Sequence, residues 1–437
     1  MSETVLNDAE KVLNEIESSL AKDARIPDSR PEWTYQSPAT IDLNEIDLIN
    51  PYLFHNDYHV ELFERLRSES PVHLQENHEE VGSFWNVTRY EDIMSVNTDH
   101  ENFSSDGSIV VDDNDEEFPL PMFIAMDPPK HDNQRKEVSG VVAPSNLAEM
   151  EDLIRGRVVH ILDSLPRGEE FNWVDLVSIE LTTQMLATLF DFPFEDRRKL
   201  TRWSDVATAG PDSGIVDSEE QRRQELIECL EYFTQLWNER VNEDPKHDLV
   251  SMLAHGESTR NMDPVEYLGN LILLIVGGND TTRNSITGGV RFLNENPEEF
   301  KKLRDNPGLI PNMVAEIIRY QTPLAYMRRT ATRQTKIGGQ NIDSGDKVLM
   351  WYVSGNRDSD VIVDADRFLI DRKDARRHLS FGFGIHRCMG NRLAEMQLRV
   401  LWEELLPRFT KIEMVGDPVS VLSNFVKGYS QLPVIVR

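Results

Sequence analysis

The residues best suited to chemistry lie in one run, Phe381-Gly382-Phe383-Gly384-Ile385-His386-Arg387-Cys388-Met389-Gly390. Three glycines surround a cysteine just before a helical pattern at about 391–408. Glycine permits positive φ and lets backbone approach a ligand closely. A helix N-terminus and the charge of Arg387 both favour a thiolate. A thiolate so placed serves as a nucleophile, a metal ligand or a haem ligand. A nucleophile needs a neighbouring base, and His386, on so tight a loop, need not face the sulfur. The second cysteine, Cys229, lies among Leu226, Ile227 and Leu230 in a helical pattern and reads as core.

Three further groups are less specific, and a fourth, a histidine pair, is weaker still. Gly277-Gly278-Asn279-Asp280-Thr281-Thr282 follows the apolar run Leu271–Val276 inside a helical pattern. Each interior glycine costs about 1 kcal/mol relative to alanine, so a pair signals something large against the helix or a close helix crossing. An acid followed by an alcohol offers a proton relay. Glu316 and Arg319 have the spacing of an ordinary helical ion pair. His131 and Arg135, one helical turn apart, can both donate to a carboxylate. His55 and His59 share a metal-binding spacing, but no third ligand is near and they read as surface or packing.

The form Phe-x-x-Gly-x-His-x-Cys-x-Gly resembles the haem-binding loop of the cytochrome P450 family, and the other groups fall at suitable distances. The resemblance covers about residues 40–437. It implies a mainly α fold with small β-sheets, a single large domain at 41–437, and haem b (Fe-protoporphyrin IX) as cofactor. Cys388 would be the axial ligand of the iron, in a loop shaped by Phe381, Gly384 and Gly390. His131, Arg135, His386 and Arg329 would hold the haem propionates, with Arg328 the alternative to Arg329. Glu316, Arg319 and Arg367, the last from Asp366-Arg367-Phe368, would form a structural triad. Asp280 and Thr281 would deliver protons to bound O2.

Within the family, the segments 122–135, 273–284 and 321–329 look closest to bacterial alkane and fatty-acid terminal hydroxylases. That likeness implies a monooxygenase inserting one atom of O2 into a C–H bond of a hydrophobic chain. The expected substrate contacts are Leu273, Val276, Gly277, Leu324, Met122, Ile124, Phe425 and Val426. None carries a charge, which suits a hydrocarbon tail with any carboxylate held at the entrance. Internal methylene C–H bonds are weaker than methyl ones, so terminal attack demands a pocket that presents only the methyl end. The alternatives are a P450 for terpenoids or another compact apolar molecule, a non-catalytic haem-binding sensor, and a thiol-nucleophile enzyme without haem. A sensor has no need of the Asp280-Thr281 pair.

The elements that must position these groups read mainly as helices, at 146–165, 173–191, 195–209, 219–242, 262–295, 297–304, 310–320 and 391–408. Residues 51–71 suggest a further helix, 72–98 a small hairpin turning at Gly82, and 330–353 strands. Residues 101–120 carry seven acids and no base, the composition of a long loop or lid. Residues 1–40 read as a peripheral, mobile arm broken by Pro27, Pro31 and Pro38.

Across its 437 residues the chain carries a net charge of -30 and two cysteines. Such acidity argues against general binding to nucleic acid. Two cysteines suit a reducing compartment, and residues 1–30 lack a secretory pattern, so a cytoplasmic location is expected. The longest clean apolar run, Leu271–Val276, is far short of the ~20 residues of a membrane span. No Gly-x-Gly-x-x-Gly run precedes a helix and no cysteine set suits an iron–sulfur cluster. Electrons must therefore come from other proteins; the resemblance implies a ferredoxin and an NAD(P)H-dependent reductase. Residues 365–400 hold eight Arg/Lys against four acids, a basic island expected to face an acidic ferredoxin.

Overall fold

A computed structural model describes residues 37–113, 118–209 and 213–437. The arm expected at 1–40 lies almost wholly outside the described residues. The architecture is organised around one helix, Pro264–Glu295, about 48 Å long at 1.5 Å per residue. Asp263 caps it by accepting the Val265 N–H at 2.9 Å, and Pro264 occupies its first turn, where a missing N–H costs nothing. Pro297 follows its C-terminal residue Asn296 and opens the next helix, Pro297–Asp305. The central helix packs against Glu180–Phe190, Arg198–Thr208 and Ile310–Gln321.

Its glycine pair serves both purposes that the sequence left open. A Cβ on Gly278 would meet Leu186 Cδ2 at 2.6 Å, so this glycine allows a close helix crossing. A Cβ on Gly277 would meet nothing within 4 Å, and Gly277 faces a cavity.

The main sheet has five strands in the order Val72–His78, Gly82–Val87, Lys347–Trp351, Tyr326–Ala331, Phe103–Ser104. Tyr326–Ala331 runs antiparallel to Lys347–Trp351, with Arg329 opposite Val348. The hairpin expected at 72–98 ends at Val87, and Tyr90–Thr98 is a helix. Its buried Tyr90, Ile93, Val96 and Asn97 repeat at helical spacing, which overrides the local alternation. The helix expected over 51–71 breaks into Pro51–His55 and His59–Glu69, with Asp57 at φ 59 between them. A helix at Leu249–His255 was not anticipated. The final long helix, Asn391–Arg408, begins directly after the cysteine loop, as expected.

Cys229 is fully buried in the core, as its apolar neighbours predicted. Among the described residues, no cluster of three metal-ligating side chains surrounds His55 and His59 or occurs elsewhere. No helix of the described residues is long and apolar enough to cross a membrane.

Candidate active site

The cysteine loop is tied down at both ends. Cys388 N–H donates to Phe381 O at 2.7 Å, and Asn391 Nδ2 donates to Cys388 O at 2.6 Å. Gly382 and Gly384 sit at φ 63 and 67, and a Cβ on Gly384 would meet Asn97 O at 2.6 Å. Asn97 grips the loop from the helix Tyr90–Thr98: its Oδ1 accepts the Phe383 N–H, and its Nδ2 donates to Tyr352 OH at 2.8 Å. No sequence pattern marked Asn97.

Cys388 opens onto an inner cavity of about 1520 Å³, counting its openings. Burial pushes its thiol up, while the Gly390 N–H, Arg135 and Arg387 pull it down. Thr281, Gly277, Leu273, Leu324 and Ile124 line the same cavity, as do Phe381 and Gly390.

A basic cluster occupies one side of this cavity. Arg135, Arg329 and His386 line it, and His131 lies behind His386 with the ring centroids 4.2 Å apart. Among the described residues, neither ring nitrogen of His386 has a hydrogen-bond partner, nor has His131 Nε2. Burial, with Arg329, His131 and Arg135 adding to it, drives the His386 imidazole down to about 2. Arg329 is buried and, among the described residues, its side chain reaches only the Arg328 carbonyl, at 2.7 Å. Such a set of orphaned donors fits a ligand bearing carboxylates, as haem does. Arg328 points the other way, to Val111 O at 3.1 Å and Asp113 Oδ1 at 2.8 Å. Neighbouring residues of a strand face opposite sides, so only one arginine can reach the cavity.

Beneath the loop, Glu316 and Arg319 pair through two bonds of 2.8 Å, both side chains fully buried. The third partner is not Arg367. Arg372 Nε donates to Glu316 Oε2 at 2.9 Å, whereas the Arg367 side chain is exposed. Arg367 contributes only its carbonyl, which accepts from Arg319 at 3.0 Å and from Arg372 at 2.8 Å. The chain doubles back between 367 and 372, which brings the later arginine inward. Nothing in the sequence ranked one above the other.

Asp280 and Thr281 face different ways. The Thr281 hydroxyl stays on the cavity side, donating to Gly277 O at 3.2 Å. The Asp280 carboxylate is fully buried and lines neither the inner nor the outer cavity. It accepts from Ser204 Oγ at 3.1 Å and Thr208 Oγ1 at 3.5 Å, on the helix Arg198–Thr208, and pairs with Arg283 at 2.9 Å. Arg283 in turn holds Asp205 at 2.9 Å. Burial, opposed by Arg283 and reinforced by Asp205, raises the Asp280 carboxyl to about 6.

A larger outer cavity, about 2450 Å³ counting its mouth, opens beside the central helix. Leu273 lines both cavities. Met122, Val276 and Phe425 line the outer one, so the expected contacts divide between two chambers. Val426 lines neither: it is buried and bridges Leu324 through the backbone. Met327 and Phe118 are wall residues that the sequence reading missed. Asp113, held by Arg328 and by Lys347 Nζ at 2.7 Å, fixes part of the acidic loop at the outer rim. Residues 114–117 of that loop lie outside the described residues.

The family profile described as Cytochrome P450 matches residues 308–430. Linalool 8-monooxygenase of Pseudomonas putida is 37% identical over 405 residues, 89% of this chain and 98% of that protein. The methyl-branched lipid omega-hydroxylase of Mycobacterium tuberculosis is 31% identical over 410 residues, 91% of this chain and 94% of that protein. The solved cytochrome P450-153 of Novosphingobium aromaticivorans is 44% identical, with a TM-score of 0.83 over 90% of this chain and 99% of that one. With a cysteine on a glycine-shaped loop, a cradle of buried cations for carboxylates and relatives along nearly its whole length, the chain belongs to the cytochrome P450 family of haem b monooxygenases.

Proposed function

We propose that this enzyme hydroxylates the terminal carbon of medium-chain n-alkanes or fatty acids. The inner cavity carries the reading: away from Cys388 and the basic cluster, its wall has no charged side chain among the described residues. It includes Ile124, Leu189, Leu273, Leu274, Leu324 and Met327, with Thr281, Thr282, Ser285 and Gln397 among its polar members. That wall offers a charge no ionic partner, while it would hold a chain end against methyl-selective attack. The lipid omega-hydroxylase among the relatives points the same way.

The haem supplies the oxygen chemistry when bound, and a thiolate ligand favours O–O cleavage. Cys388 would hold its iron, and Arg135, Arg329, His386 and His131 its propionates. Thr281 would hold a proton at its hydroxyl on the cavity side. Asp280 would replenish that proton from behind the central helix, after its carboxyl turns from Ser204 and Thr208. The apolar wall would exclude water and present the methyl end.

Electrons would come from a ferredoxin and an NAD(P)H-dependent reductase. Arg367, Lys373, Arg376, Arg377, Arg387 and Arg392 are exposed and form the basic face proposed for that contact. Arg372 and Arg399 are committed to Glu316, Glu151 and Glu403 and do not belong to it. Reversing Arg376 and Arg392 to Glu should slow electron transfer, most at low salt. An unchanged rate and salt dependence would count against the docking face.

Incubation with dodecane, dodecanoic acid and a monoterpene, in the presence of ferredoxin and reductase, tests the substrate reading. Terminal alcohols from the linear chains are expected. Turnover of the monoterpene alone would favour the second reading, a terpenoid hydroxylase, for which linalool 8-monooxygenase is the relevant relative.

A further inference from the structure

A second cluster of cations lies apart from the haem cavity, around a small, partly open space with room for about one water molecule. Its charged lining is Arg67, Arg357 and Lys427, with His59 beside them and no carboxylate. Three segments converge there: the helix His59–Glu69, the turn after the short helix Tyr352–Gly355, and the C-terminal turn that carries Phe425.

The donors are held but not used up. Arg67 gives one nitrogen to Ser354 O and Oγ, at 3.2 and 3.0 Å. The Arg357 guanidinium lies over the Tyr320 ring at 3.8 Å, and its Nη1 donates to Asp366 O at 3.4 Å and lies 3.7 Å from Asp366 Oδ1, leaving its other nitrogens without a hydrogen bond among the described residues. Lys427 Nζ has no hydrogen bond or ion pair among the described residues, although its backbone is anchored to Pro323 O and Gln321 Nε2. His59 is buried, stacks on Phe54 at 5.1 Å, and its Nδ1 has no partner.

The acids nearby are turned to other tasks. Asp57 lies on the far side of Lys427, in a separate small space, and is 3.3 Å from Arg291. Glu295 pairs with Arg291 at 2.7 Å, and Asp358 accepts the Tyr90 N–H at 2.9 Å. Burial, opposed by Asp57 and reinforced by Arg357 and Arg291, pulls the Lys427 ammonium down to about 8. Burial and Lys427 together pull the His59 imidazole down to about 3. Both shifts have the sign expected where cations crowd together in a desolvated space, with Asp57 offsetting only part of the effect.

We propose that this space is a binding site for one small monovalent anion of chloride size, held by Lys427, Arg357 and Arg67. The size of the space excludes phosphate and carboxylates of metabolites. By joining three segments, the anion would stabilise the folded chain through ordinary linkage.

Crystals of the haem-loaded protein grown in sodium bromide test this directly. An anomalous peak between Lys427 and Arg357 is expected; bromide peaks elsewhere with only water at this position would overturn the proposal. In solution, the Tm of the holoprotein should be higher in sodium chloride than in sodium gluconate at equal ionic strength, and the difference should saturate. The difference should vanish in Lys427→Met or, if that variant does not fold, in Arg357→Gln. Equal Tm of the unaltered protein in both salts would also overturn it.

Discussion

Glu316 and Asp280 are both fully buried carboxylates, each paired with an arginine three residues later in its own helix. Their surroundings differ in kind. Glu316 is saturated: it accepts two bonds from Arg319, one from Arg372 and one from the Leu369 N–H, all at 2.8 or 2.9 Å. Asp280 shares its arginine with Asp205, accepts from Asn279 Nδ2 at 3.1 Å, and leans on two hydroxyls, one of them 3.5 Å away. A saturated pair has no state to move to and acts as a strut under the cysteine loop. A pair with long bonds and a carboxyl near 6 can exchange a proton near neutral pH. An acid and an arginine at the same spacing thus yield scaffold in one place and a proton reservoir in the other.

The sharpest way to break this contrast is on the strut. Removing one partner of a buried pair costs ~3–5 kcal/mol. Arg372→Ala should therefore yield little haem-loaded protein, read from haem content and the reduced carbon-monoxide spectrum. Arg367→Ala should stay within ~0.5 kcal/mol of the unaltered protein, as surface changes do. Equal losses in both variants would restore Arg367 to the triad.

Asp280→Asn should leave folding and haem content intact yet lower turnover by ~10²-fold, the scale of lost acid–base assistance. Full activity with an unchanged pH profile would remove Asp280 from the proton path.

A smaller effect follows from linkage. The folded carboxyl, at about 6, holds its proton more tightly than an unfolded aspartate at ~3.9. Its contribution is therefore fully present below pH ~4 and is lost as pH rises toward 6. Unfolding titrations over that range should show the decline in the unaltered protein and not in Asp280→Asn.

The smallest expected effect concerns the wall. Leu324→Ala should leave rates similar but move some oxidation inward along the chain, measured by product regiochemistry. Val426→Ala, outside both cavities, should leave the product distribution unchanged.

Much of this site is legible from residue order because the relevant neighbours are close in sequence. The cysteine loop is local, its glycines being required by positive φ at 382 and 384. The Glu316–Arg319 pair is set by helical spacing. The central helix announces itself through a capping aspartate, a first-turn proline and a long apolar stretch.

What remained hidden depends on partners far along the chain. Asn97 reaches the cysteine loop across almost 300 positions, and Ser204 reaches Asp280 across 76. Strand alternation says that Arg328 and Arg329 face opposite sides, but not which side holds the cavity. A one-residue offset likewise took Val426 out of the wall while Phe425 stayed in it. The amino-acid order by itself determined the loop, the central helix and the chemistry available to them, since local backbone geometry and spacing suffice for these. Which arginine completes the strut, where Asp280 points and how the apolar contacts divide between chambers were decided by tertiary packing, because each depends on which distant segment folds back against it.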